Sequence, residues 1–137
     1  DTGFGFQANY TMVNGDVELD PGAPTDEEQF ALVGLSDTAN LTAIYEKYGF
    51  SARLAYNWRD TFLQQTNQTG DRSGIYVEDY GQYDLSVSYD INDRFSVSFE
   101  GVNLTGEDPR TSHRVPEEVY YVYELSPRYM VGARYKF

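Results

Sequence analysis

The chain has no cysteine. That excludes a disulfide framework, a cysteine nucleophile and a thiolate metal site. Lysine and arginine are missing from the first 46 residues, which hold nine acids, and all ten basic residues lie from Lys47 onward. With a net charge of -12, no basic stripe is present to replace the counterions of a phosphate backbone, so nucleic acid is excluded as a partner. No stretch approaches the roughly 20 unbroken apolar residues of a transmembrane helix. That leaves membrane strands open, because a barrel strand needs only every second residue to be apolar. Helix signals are nearly absent. So is catalytic equipment: there is no Ser-His-Asp spacing, no glycine-rich phosphate loop and no metal triad. The acidic pairs Glu27-Glu28 and Glu117-Glu118 sit in loop-like sequence without fixed geometry, and no enzyme is expected. An initiator Met and a signal peptide are also missing. The chain starts at Asp1, close to a strand pattern, and reads as a piece or a processed product.

Period-two alternation is what the chain has in abundance. Its last ten residues alternate without a slip. Tyr129, Val131, Ala133, Tyr135 and Phe137 share one face, and Arg128, Met130, Gly132, Arg134 and Lys136 share the other. Five similar stretches precede it, at about 3–13, 37–47, 50–63, 81–91 and 95–104. The parity changes near Gly101, where Val102 and Leu104 become the apolar positions, which predicts a β-bulge. Lys47-Tyr48-Gly49 and Asn92-Asp93-Arg94 read as tight turns. The other connections, about 14–36, 64–80 and 105–125, are long and rich in Gly, Pro, Asn, Asp and Glu. Short turns at one end and long loops at the other is the sidedness of a bacterial outer-membrane barrel. The aromatic share is 16%, with 13 Tyr and 8 Phe. Tyr10, Tyr45, Phe50, Trp58, Tyr83, Tyr89 and Phe95 fall near strand ends, as interfacial girdles require. A soluble β-sandwich also alternates, and periodicity alone does not choose between the two.

The expected fold is therefore all-β, an antiparallel transmembrane barrel segment of about six strands forming one unit over 1–137. Six strands are fewer than the smallest usual membrane barrel of about eight, and an open edge is not viable in lipid. The rest of the barrel is expected to lie outside this sequence.

Several motifs, in order, carry a resemblance. Gly34-Leu35-Ser36-Asp37-Thr38-Ala39-Asn40-Leu41-Thr42-Ala43-Ile44-Tyr45-Glu46 and Gly49-Phe50-Ser51-Ala52-Arg53-Leu54-Ala55-Tyr56-Asn57-Trp58-Arg59-Asp60 come first. Tyr83-Asp84-Leu85-Ser86-Val87-Ser88-Tyr89 and Asn103-Leu104-Thr105-Gly106-Glu107 follow, and Gly132-Ala133-Arg134-Tyr135-Lys136-Phe137 closes the chain. This series resembles the C-terminal part of TonB-dependent outer-membrane receptors. The resemblance implies the last strands of a 22-stranded barrel with a plugged lumen. It implies uptake of a scarce bulky nutrient (an iron-siderophore, haem, cobalamin or an oligosaccharide) with energy from TonB, ExbB and ExbD. The plug and the TonB-contacting segment of that family have no counterpart here. Other implied partners are the remainder of the barrel, the barrel-assembly machinery, lipid and lipopolysaccharide. The bacterial outer membrane is the implied location, with long loops outside and the C-terminus periplasmic. A passive porin-like barrel and a soluble sandwich binding module are the competing readings.

Candidate sites follow. Gly132, Tyr135 and Phe137 match the terminal assembly signal of outer-membrane proteins, read through strand pairing. Met130 departs from the polar residue usual there. Arg53, Asn57, Arg59, Asp84 and Glu100 are expected to face the lumen, lining a path or pairing with one another. Arg110, His113, Arg114, Tyr120 and Tyr121 in the third long connection are ligand candidates, against the plainer reading of an exposed loop and an aromatic girdle. Asp16, Glu18, Asp20 and Glu27 have a loose calcium-loop spacing, against a solvated acidic loop. No other cofactor is expected.

Overall fold

The computed structural model describes residues 2–15, 19–20, 22–24, 29, 31–68 and 73–137. These residues form an all-β structure in which every strand pairing is antiparallel. The strands are β1 (Phe4–Thr11), β2 (Thr38–Lys47), β3 (Phe50–Arg59), β4 (Phe62–Gln68), β5 (Ser73–Val77), β6 (Tyr80–Asn92), β7 (Phe95–Val102), β8 (Arg110–His113), β9 (Val119–Val122) and β10 (Arg128–Tyr135). Six of them form one sheet in the order β1-β2-β3-β6-β7-β10, and four form a second in the order β4-β5-β8-β9. The sheet is open: β1 and β10 are its two edges.

Side-chain period and pairing register together give the large sheet two unlike faces. Phe6 stands opposite Ala43, which pairs with Leu54, which pairs with Leu85. Leu85 in turn pairs with Gly101, and Gly101 with Tyr129. Because successive side chains alternate, in-phase pairing puts most apolar positions on one face, with Ile44, Val102 and Met130 among the exceptions on the other. The two neighbouring rows, Ala8-Leu41-Tyr56-Tyr83 and Tyr45-Ala52-Val87-Phe99-Val131, run the same way. Aromatic pairs tie the strands across this face: Tyr56 and Tyr83 stack at 4.4 Å, and Phe4 meets Tyr45 at 4.7 Å.

Among the described residues, no strand packs over that face. Phe4 is 77% exposed and Val131 84%. The total accessible surface is 9615 Å², against roughly 7,200 Å² for a compact monomer of this mass. The buried apolar residues among those described are Ala31, Leu63 and Ile75, and Leu63 and Ile75 belong to the second sheet. No strand of one sheet packs face to face on a strand of the other, so the two sheets do not make a sandwich.

The second sheet corrects the count of about six strands. Stretches expected to be long loops contain β5, β8 and β9, and what read as one strand over 50–63 breaks at Asp60-Thr61 into β3 and the start of β4. The order β4-β5-β8-β9 repeats the order β3-β6-β7-β10, so two hairpins continue beyond a joint. Backbone bonds cross that joint, from Leu104 N to Tyr83 O and from Glu78 N to Arg110 O, both 2.9 Å. These outer strands have little alternation to betray them. Backbone pairing continued from the hairpins below joins them, and Leu63, Ile75 and Ser112 are buried within them.

The bulge expected at Gly101 is absent. β7 pairs with β10 without a shift through Gly101 and Val102, and the register shift on β7's other side, with β6, lies near the turn between Asp90 and Asn92. Val102 stays on the polar face opposite Arg128. Asn103 then takes φ 55°, and the chain turns so that Leu104 folds back over Gly101. A Cβ on Gly101 would lie 2.6 Å from Leu104 Cδ2, so the glycine makes room for the leucine.

Both tight turns are present. Tyr48 and Gly49 have φ of 55° and 76°, the positive pair that a two-residue hairpin of right-handed twist needs. At the other turn, Asn92 Oδ1 accepts from the N–H groups of Arg94 and Phe95, both at 3.0 Å. Tyr48 is a costly residue for its conformation, since side chains other than Asn and Asp rarely adopt positive φ. Tyr48→Asn should therefore raise stability by up to about 1 kcal/mol, and Gly49→Val should lower it by about 2 kcal/mol. Urea midpoints of the two variants in detergent micelles check the opposite signs.

Candidate functional site: the polar face and its outer margin

The face opposite the apolar one gathers polar side chains from all six strands. Arg53, Asn57, Arg59, Asp84 and Glu100, the residues expected to share a face, do share it by register. Arg53, Ser86 and Glu100 form one row, and Arg53, Asn57, Asp84 and Glu100 line a groove of about 280 Å³. No ion pair joins Arg53 to Asp84 or Glu100 among the described residues. Each long charged side chain stands two strands or a diagonal away from its opposite, so cross-strand pairing does not neutralise the wall.

Asp84 is engaged differently. Its Oδ1 accepts from Gln82 Nε2 at 2.7 Å and from the Asn103 backbone N–H at 3.0 Å. Gln82 Oε1 accepts in turn from the Tyr80 hydroxyl at 2.8 Å. Asn103 is 4% exposed and spends its amide on the backbone. Its Oδ1 accepts from Glu107 N, and its Nδ2 donates to Glu107 O and Leu125 O. One side chain thereby ties three segments together at the outer end of β7. Asparagine suits the position twice over, tolerating positive φ and offering donor and acceptor together.

A second anchor lies at the outer end of β1. The Tyr10 hydroxyl donates to Asp37 Oδ2 at 2.6 Å, and Val13 N donates to Asp37 Oδ1 at 2.8 Å. The Tyr10 bond, with the Val13 bond second, holds the Asp37 carboxyl below its ordinary range.

The third-connection candidates are drawn into the second sheet. Arg110 and His113 lie on β8, Tyr120 and Tyr121 on β9. Arg110 Nε sits 3.4 Å from Glu78 Oε2, and His113 Nδ1 3.6 Å from Glu118 Oε2. Arg114 Nη2 donates to Ala23 O at 3.3 Å. The His113 and Tyr120 rings are 6.3 Å apart, and Tyr120 and Tyr121 remain half exposed. Arg110 and His113 thus stand on a strand of the second sheet rather than in a long loop.

Of the calcium candidates, Asp16, Glu18 and Glu27 lie outside the described residues. Asp20 accepts from Gly22 N at 2.8 Å, a local turn. At the chain end, Gly132 approaches Ser98 so closely that a Cβ would sit 2.6 Å from its Oγ. Tyr135 and Phe137 meet edge to face at 5.2 Å and are exposed.

No family model matches the chain, and no curated protein or solved structure matches it.

The motif Asn103-Leu104-Thr105-Gly106-Glu107 was legible only as part of a resemblance, and nothing local in it signals that Asn103 reaches Leu125, twenty-two residues on. Asn103→Ala should cost about 2–4 kcal/mol, from stranded backbone partners and a Cβ residue at positive φ. Faster hydrogen exchange at the Glu107 amide, with unchanged exchange in β2, checks that the loss is local first.

Proposed function

We propose that the chain is part of the wall of an outer-membrane transporter barrel, of the TonB-dependent type that its motifs resemble. The observation that carries this reading is the single in-phase apolar face across six strands, bare of any covering element. Lipid is the partner that covers such a face without a second sheet. The aromatic residues at its rims, Phe4, Tyr45, Phe50 and Tyr135 on the tight-turn side, suit an interface between lipid and water. The opposite face, wet and mixed in charge, suits a lumen. The open edges at β1 and β10 need strands from the rest of a barrel.

On this reading the tight turns are periplasmic, and the second sheet extends the hairpins outward from the membrane. The terminal Gly132, Tyr135 and Phe137 serve recognition by the barrel-assembly machinery. Energy from TonB enters through a plug that this sequence does not contain, and a scarce bulky nutrient is the cargo.

Two substitutions one residue apart test the reading. Val87 stands mid-strand on the apolar face and Ser86 on the polar face. Val87→Arg should cost about 2–4 kcal/mol at the bilayer midplane and cut the membrane-inserted amount, while Ser86→Arg should insert normally. Membrane fractionation with heat-modifiable gel migration reads both. Equal tolerance of the two would contradict a lipid-facing surface.

A further inference from the structure

The polar face carries one row unlike its neighbours. Asn9 pairs with Asn40, Asn40 with Asn57, and Asn57 with Gln82. Four carboxamides thus stand side by side on four consecutive strands, at the sheet spacing of about 4.8 Å. Such amides commonly bond one another along the row. Here Asn9, Asn40 and Asn57 make no side-chain hydrogen bond among the described residues, and Gln82 alone is engaged, with Tyr80 and Asp84. The next row outward is Thr11-Thr38-Arg59-Tyr80. The guanidinium of Arg59 lies 4.6 Å over the Phe62 ring, and its Nε is buried without a hydrogen-bond partner. Thr38, Asn40, Asn57, Arg59, Tyr80 and Gln82 line a groove of about 340 Å³.

We propose that this groove binds a neutral polyhydroxylated ligand, a saccharide, through the Asn40 and Asn57 carboxamides. Each carboxamide presents donors and an acceptor on one planar group. A sugar hydroxyl both donates and accepts, so neighbouring hydroxyls match a row of amides without any charge to neutralise. The row itself is uncharged. On the same face, Asp84 Oδ1 already accepts two hydrogen bonds, from Gln82 Nε2 and from the Asn103 N–H. Tyr80 adds a ring at the groove wall, the kind of flat apolar surface on which sugar faces stack. An anionic ligand would have one cation here, Arg59, and a row of carbonyl oxygens against it.

The proposal rests on the transport reading for its direction of access, but not for its chemistry. The test uses the protein as its host makes it, in outer-membrane vesicles, with fluorescently labelled neutral glucose, xylose and mannose oligosaccharides as probes. A ferric tris-catecholate serves as the charged comparator. Wild type should bind at least one of the neutral probes. Asn40→Leu with Asn57→Leu should weaken that binding about tenfold or more, as the loss of two neutral hydrogen-bonding groups implies. Ser88→Ala, on the same face and far from the groove, should bind as wild type. The amount of each variant in the membrane is measured in the same vesicles. Saccharide binding by a chain that never enters the membrane sinks the transport reading and leaves the groove standing. A membrane-inserted chain that binds no neutral probe, binds only the ferric catecholate, or binds equally with and without the two amides overturns the proposal. So does a double variant whose defect is in assembly with the rest of the barrel, since the row would then be a contact between protein parts.

Discussion

Everything in this structure depends on register. Six strands alternate with period two, and their five pairings are in phase, so a residue sum at each hairpin decides the character of both faces. A slip of one residue on any strand would carry its Phe, Tyr and Leu side chains to the polar face and its Asn, Ser and Arg side chains to the other. Two devices pin the register on the tight-turn side: the positive-φ pair Tyr48-Gly49 and the Asn92 cap over Arg94 and Phe95. Two more pin the outer side: the Tyr10–Asp37 clamp and the Asn103 hub.

The consequence is a sheet that is complete in its bonding and incomplete in its burial. Backbone groups inside the six-stranded sheet are paired, yet among the described residues no second layer packs on the apolar face. In an ordinary domain such a face would be the core. Here the small buried cluster of Leu63 and Ile75 sits in the second sheet instead. A lipid-covered wall reconciles the two facts, because it asks for backbone satisfaction inside the sheet and asks nothing of a second layer. The same geometry leaves the polar face to be specific. Its charged residues are spread so that they do not cancel, and its amide row is left open.

Much of this was legible in the residues. Alternation placed all six long strands within a few positions of their ends, because a half-buried strand advertises its period. The two tight turns followed from their turn chemistry, and the shared face of Arg53, Asn57, Arg59, Asp84 and Glu100 followed from parity. The pairing of Asn40 with Asn57 was not legible: the sequence suggested the three-residue turn Lys47-Tyr48-Gly49, whereas Lys47 pairs with Phe50 across the two-residue turn Tyr48-Gly49, which sets every partner across the hairpin. Other features left no such trace. Strands β4, β5, β8 and β9 are short and show no sustained alternation, so they read as loop. The apparent change of parity after Gly101 looked like a bulge, but a reversal at Asn103 produces the same apolar spacing by folding Leu104 back. The engagement of Arg110 and Arg114 depends on partners far away in sequence, Glu78 and Ala23.

The chain has no cysteine, which makes its central claim directly measurable. Single cysteines placed in turn along β6, from Gln82 to Tyr89, take a spin label for collision measurements in a bilayer. Positions 83, 85, 87 and 89 should collide with oxygen dissolved in lipid, and positions 82, 84, 86 and 88 with a water-soluble nickel chelate, alternating residue by residue. Equal exposure of both sets to the nickel reagent, or protection of the odd-numbered set from both reagents as in a protein core, would contradict a wall with lipid on one side and water on the other.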